Sequence, residues 1–114
     1  MAKYEIKDGV GIIPEGTTSI EEKAFECCEN MTSIVIPDSV TAIGALAFRD
    51  CTGLTSIVIP DSVTEIEDEA FERCTGLTSI VIPDSVTEIG QWAFSGCTGL
   101  TTASVLGPVK LTQL

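Results

Sequence analysis

The chain has 114 residues, 44% of them apolar and 5% aromatic, and 6 Lys and Arg against 17 Asp and Glu leave a net charge of −11. A surface that acidic repels phosphate backbones and anionic lipid headgroups, which argues against nucleic acid and bare membrane as partners. The sequence has no histidine, so imidazole acid–base catalysis and imidazole metal ligation are excluded.

The N-terminus, Met1 to Gly9, has no apolar run of signal-peptide length, and no stretch reaches the roughly 18 apolar residues of a membrane span. As written, the product is expected in the cytoplasm, unless a leader was removed. Tyr4 to Lys7, then Asp8-Gly9, then Val10 to Ile13 reads as a β-hairpin, because Asp-Gly suits a type I′ turn. The hairpin would cap the open edge of the first coil, with Lys and Glu discouraging further strand pairing.

Beyond the hairpin the chain repeats with a fixed 23-residue step. Ile34-Val35-Ile36-Pro37, Ile57-Val58-Ile59-Pro60 and Ile80-Val81-Ile82-Pro83 are three copies of one line. Phe25, Phe48, Phe71 and Phe94 keep the same step, as do Cys28, Cys51, Cys74 and Cys97. A fixed period of this length means one supersecondary unit stacked on copies of itself, since a single unit cannot bury its own apolar face. Leu54 to Gly76 serves as the type coil. Ile57 and Ile59 alternate with Ser56 and Val58, a strand with one buried face. Pro60-Asp61-Ser62 turns the chain out of the sheet, and Val63 and Ile66 point inward. Ile66, Ala70, Phe71 and Cys74 then have helical spacing, with Gly76 placed to end a helical turn.

The expected architecture is a single α/β repeat solenoid over 1–114. A hairpin cap occupies 1–11, four repeats occupy 12–99, and a partial fifth repeat or C-terminal cap occupies 100–114. A parallel sheet forms one wall, with strands about 4.8 Å apart, and short helical segments form the opposite one. The last coil starts at Leu100, but Ala103 and Ser104 replace Ile and Val, and Gly107-Pro108 interrupts the pattern. Its strand is either a cap or an exposed edge open to self-association, with Ala103 and Val105 as the edge residues.

The unit Leu-x-x-Ile-x-Ile-Pro-x-Ser-Val-x-x-Ile-Gly-x-x-Ala-Phe-x-x-Cys, clearest from Leu77 to Cys97, resembles the BspA-like leucine-rich repeats, from about Ile12 to Val105. The resemblance implies a surface-exposed or secreted protein, adhesion and protein binding, and repeats without enzymatic activity. It supplies no catalytic residues.

Chemistry-bearing features are sparse. No Gly-rich phosphate loop and no Gly-x-Ser-x-Gly elbow occurs, so neither catalysis nor a cofactor is expected. A linear cysteine column cannot surround zinc, so its members read as buried thiols filling a layer, with Cys27 off the register and the most exposed. Asp38, Asp61 and Asp84, with Glu15 in the first coil, form a carboxylate column. It could hold Ca²⁺, but with no second set of oxygens converging it reads as a row of turn residues, and no metal site is assigned. Trp92 replaces Glu69 and Lys23 on the variable wall and should be at least partly exposed; it either anchors a partner or lies flat on apolar neighbours.

The sheet face is the better candidate. Ser33, Ser56 and Ser79 alternate with Val35, Val58 and Val81 on the side turned away from the core, and Thr102 and Ser104 extend the two rows. A flat, uncharged stripe on an acidic protein can dock a protein partner or a second copy, although Val is also simply a good strand former. The leading expectation is a non-catalytic protein–protein interaction module with an adhesin-like repeat surface. The alternatives are a structural unit that self-assembles through the C-terminal edge or the sheet face, and a fragmentary or engineered consensus array with no partner of its own.

Overall fold

The computed structural model describes residues 4–105. It begins with the hairpin. Strand β1 (Glu5–Lys7) pairs antiparallel with β2 (Val10–Ile12) across Asp8 and Gly9, whose φ angles of 52° and 81° are the two positive values a type I′ turn needs. Strand β2 is also the first rung of the solenoid. It pairs in parallel with β4 (Ser33–Val35), Val10 against Ser33 and Ile12 against Val35.

The next rungs are β6 (Ser56–Val58), β8 (Ser79–Ile82) and β10 (Thr102–Val105), in the parallel order β6-β8-β10. Strands β4 and β6 belong to different sheets, and the Thr55 amide donates across that junction to the Thr32 carbonyl at 3.4 Å. This wall is therefore two three-stranded sheets in succession.

After each strand the chain turns at Pro. Val40, Val63 and Val86 amides donate to the carbonyls of Pro37, Pro60 and Pro83 at 3.1–3.2 Å, with Asp and Ser in the central turn positions that suit them. The corner leads into a second parallel sheet, built from two-residue strands: β3 (Ser19–Ile20), β5 (Ala42–Ile43), β7 (Glu65–Ile66) and β9 (Glu88–Ile89). Thr41, Thr64 and Thr87 each donate backbone amide and Oγ1 to the threonine carbonyl one coil earlier, which stitches this corner at the 23-residue step.

The expected helical segments are not there; no helix occurs among the described residues. The fold is a β-solenoid rather than an α/β stack. Alternate amides on the third wall bond across coils instead of along the chain. Lys23, Phe25 and Cys27 donate to the carbonyls of Ala45, Ala47 and Arg49 at 3.0, 2.7 and 2.8 Å. The amides between them close local turns, such as Ala24 to Glu21 at 3.1 Å and Cys28 to Phe25 at 3.1 Å. An α-helix would need each amide to reach four residues back. Left-handed residues at Lys23 and Cys27, Leu46 and Asp50, and Glu69 and Arg73 also break any helical run. The apolar spacing that imitates a helix is that of successive tight turns.

Gly76 serves a different purpose from the one its position suggests. Its φ is not positive; a Cβ there would stand 2.5 Å from the Thr52 carbonyl oxygen of the preceding coil. Gly53 and Gly99 face the same obstruction at 2.6 and 2.5 Å.

Columns of identical side chains fill the interior. Ile34, Ile57 and Ile80 and Ile36, Ile59 and Ile82 are buried from the strand wall, and Leu54 and Leu77 from the turn before it. Phe25, Phe48, Phe71 and Phe94 stack with centroids 5.0–5.5 Å apart and planes within 7°. Tyr4 from the hairpin continues the stack onto Phe25 at 5.4 Å. The Gly107-Pro108 break lies outside the described residues.

Candidate interaction surface

Strands β4 and β6 each have one inward residue flanked by two outward ones, and β8 repeats that pattern before adding a second inward residue, Ile82. Ile34, Ile57 and Ile80 keep 7%, 5% and 2% of their surface, so the residues either side face solvent. One outward row is Val10, Ser33, Ser56 and Ser79; the other is Ile12, Val35, Val58 and Val81. Val35, Val58 and Val81 are 72%, 79% and 51% exposed, and Ile12 is 40% exposed. Ser56 and Ser79 are exposed and Ser33 is half-buried. Thr102 and Ser104 pair with Ser79 and Val81, so the β10 backbone carries both rows one coil further; Ala103 and Val105 are in register with Ile80 and Ile82. Ile12 joins the stripe because it stands one repeat step before Val35, a signal present in the sequence but hidden by the divergence of the first coil.

The surroundings fix this face and leave it uncharged. Thr78 and Thr101 sit at its border and donate backbone amide and Oγ1 to the threonine carbonyl of the coil before, and Thr32 donates likewise to Gly9. No charged side chain interrupts the rows from β2 to β8; the hairpin strand β1 brings Glu5 and Lys7 to their N-terminal end. At the turn that ends each strand, Glu15, Asp38, Asp61 and Asp84 are all exposed. They belong to no cluster able to hold a metal ion among the described residues.

Cations are concentrated on the turn wall. Arg73 grips Asp50 with two parallel bonds, Nε to Oδ1 at 2.8 Å and Nη2 to Oδ2 at 3.0 Å, and the guanidinium holds the Asp50 carboxyl below its ordinary range. Arg49 lies between coils, 3.6 Å from Glu26 and 3.1 Å from Glu72. Each of these pairs spans one repeat step, so charge alternates down each column.

The thiols form a column of their own. Cys51, Cys74 and Cys97 donate to the carbonyls of Phe25, Phe48 and Phe71 at 3.1, 3.0 and 3.1 Å. Burial pushes the Cys51 thiol from 9.0 up to about 12, and the neighbouring Cys97 thiol together with burial pushes Cys74 up as well. Such groups are poor nucleophiles. Cys27 is the exposed thiol, 3.9 Å from Asp50 Oδ2. Trp92 is 63% exposed, in a left-handed conformation with φ 56°. A shallow groove of about 450 Å³ beside the second sheet is bordered by the carboxylates of Glu65, Glu67, Asp68 and Glu88, with only Ala45, Ile66, Ile89 and Gly90 between them.

The family model of the BspA-type leucine-rich repeat region matches residues 12–113 in six copies. Among solved structures, a leucine-rich repeat protein from Bacteroides ovatus is 41% identical, with a TM-score of 0.75 over 77% of this chain and 23% of that one. A leucine-rich cell surface protein from Faecalibacterium prausnitzii is 31% identical, with a TM-score of 0.70 over 94% of this chain and 34% of that one. A leucine-rich repeat protein from Bacteroides capillosus is 35% identical, with a TM-score of 0.70 over 84% of this chain and 72% of that one. The chain thus spans about a quarter and a third of the first two relatives. No curated protein matches it.

Proposed function

The chain belongs to the BspA-type leucine-rich repeat family, and from that premise we propose that it is a non-catalytic protein-interaction module whose contact surface is the strand face. Family and fold together make a repeat scaffold of this kind, generally a platform for binding other proteins. One observation carries the finer reading: Val35, Val58 and Val81 stand 72%, 79% and 51% exposed in an uninterrupted, uncharged row on a protein of net charge −11. Exposed apolar rows on an otherwise polar surface are where partners bind. The F. prausnitzii relative is a cell surface protein, and the cell surface is the place proposed for this module, with adhesion as its use.

Val58→Lys tests the surface. Val58 is 79% exposed, so the variant should keep the wild-type unfolding midpoint to within about 0.5 kcal/mol. Binding to immobilised host surface and matrix proteins, measured by biolayer interferometry, should fall at least tenfold, since a charge placed in an apolar contact is left unpaired. Equal binding by both proteins would remove the strand face from consideration. A second reading, self-association, rests on β10, which has no further sheet partner among the described residues. Light scattering over a concentration series decides it: mass rising with concentration, and reverting on Ala103→Lys or Val105→Lys, would favour the edge.

A further inference from the structure

We infer that the partner of the strand face is a basic amphipathic helix, an apolar ridge bordered by Lys or Arg; this rests on the strand face being the contact surface. Two parallel rows carry the inference. Ile12, Val35, Val58 and Val81 form the apolar row. Glu15, Asp38, Asp61 and Asp84 form the second, each three residues further along its coil and so within about 10 Å of the first row. All four carboxylates are exposed, and none has a cationic partner among the described residues. The arginines are engaged elsewhere, Arg49 with Glu26 and Glu72 and Arg73 with Asp50 on the turn wall. The face is therefore apolar along one line and uncompensated negative charge along its border.

An occupant that covers the apolar row must meet that border. An acidic occupant would be repelled and a neutral one would gain nothing from the carboxylates, which water already satisfies, whereas Lys or Arg would pair with them. The rows also set a repeat. Coils follow one another at about 4.8 Å, and a helix lying along the stack brings a side chain to the same line every turn, about 5.4 Å. A strand laid along the stack returns a side chain to one face only about every 6.5–7 Å, and points alternate residues away from the border. The helix is the closer match over four coils.

The probe is an 18-residue helical peptide with Leu at i, i+3, i+4 and i+7 positions and Lys flanking them. Its affinity is measured by fluorescence anisotropy at several NaCl concentrations. Two control peptides carry Glu in place of Lys, or Ser in place of Leu. Asp38→Asn/Asp61→Asn/Asp84→Asn should weaken binding about tenfold at low ionic strength and flatten the salt dependence. Glu65→Gln/Glu67→Gln/Glu88→Gln removes the same charge from the second sheet and should leave binding unchanged. Val58→Lys should abolish it.

Equal losses from the two triple variants, or equal binding of the Ser-substituted peptide, would mean that net charge alone attracts the peptide, and the inference falls. If Val58→Lys abolishes binding while the Asp variants change nothing, the contact surface stands and the basic helix is overturned. If Val58→Lys is harmless, both fall together.

Discussion

Cys51 shows how one side chain ties two coils. Its thiol donates to the Phe25 carbonyl at 3.1 Å from a fully buried position, and burial raises it from 9.0 to about 12. The unfolded chain releases this proton near pH 9 while the folded chain keeps it until about pH 12. The group's contribution to stability is thus complete below pH 9 and is lost as pH climbs through that window. Urea midpoints measured across it should fall more steeply for wild type than for Cys51→Ala; parallel curves would contradict the buried thiol. That the cysteines form a column is legible from their step. That each thiol reaches the carbonyl of a Phe in the coil before is not, because it depends on how far successive coils slide past each other. Trp92 is legible as exposed from its place among Glu69 and Lys23, and it is 63% exposed.

At the scale of the element, the strands read easily and the third wall does not. Ile-x-Ile ahead of Pro carries period 2, and all three such lines form strands. The segment after Ile66 carries helical spacing, yet its amides alternate between the next coil and the local turn. Periodicity reports which residues point inward; it does not report where the backbone hydrogen bonds go. The same wall explains Gly76. Gly76→Ala would set a methyl 2.5 Å from a backbone oxygen. Overpacking of that kind should cost about 1–3 kcal/mol in urea denaturation. An unchanged midpoint would mean that the coils can separate there freely.

At the scale of the whole molecule, charge opposes the fold. Seventeen acidic residues against six basic ones repel one another in the compact state more than in the unfolded one. The bridges from Arg73 to Asp50 and from Arg49 to Glu72 are surface pairs, weakened by water and salt, and offset little of that repulsion. Raising NaCl from about 10 to roughly 300 mM, where the screening length falls below about 8 Å, should therefore raise Tm. A Tm that drops with salt would show that the turn-wall pairs outweigh the net repulsion.

The repeat step, the apolar columns, the hairpin and the outward Ser and Val rows were all determined by the sequence alone. Each follows from local alternation or from equality between positions one repeat step apart. Tertiary structure decided the second sheet, the absence of helix in the described residues, the passage of the ring stack onto Tyr4, and the gathering of the arginines away from the strand face. These depend on contacts between coils, and a coil's own residues specify which side chains it buries but not which neighbouring carbonyl each amide will find.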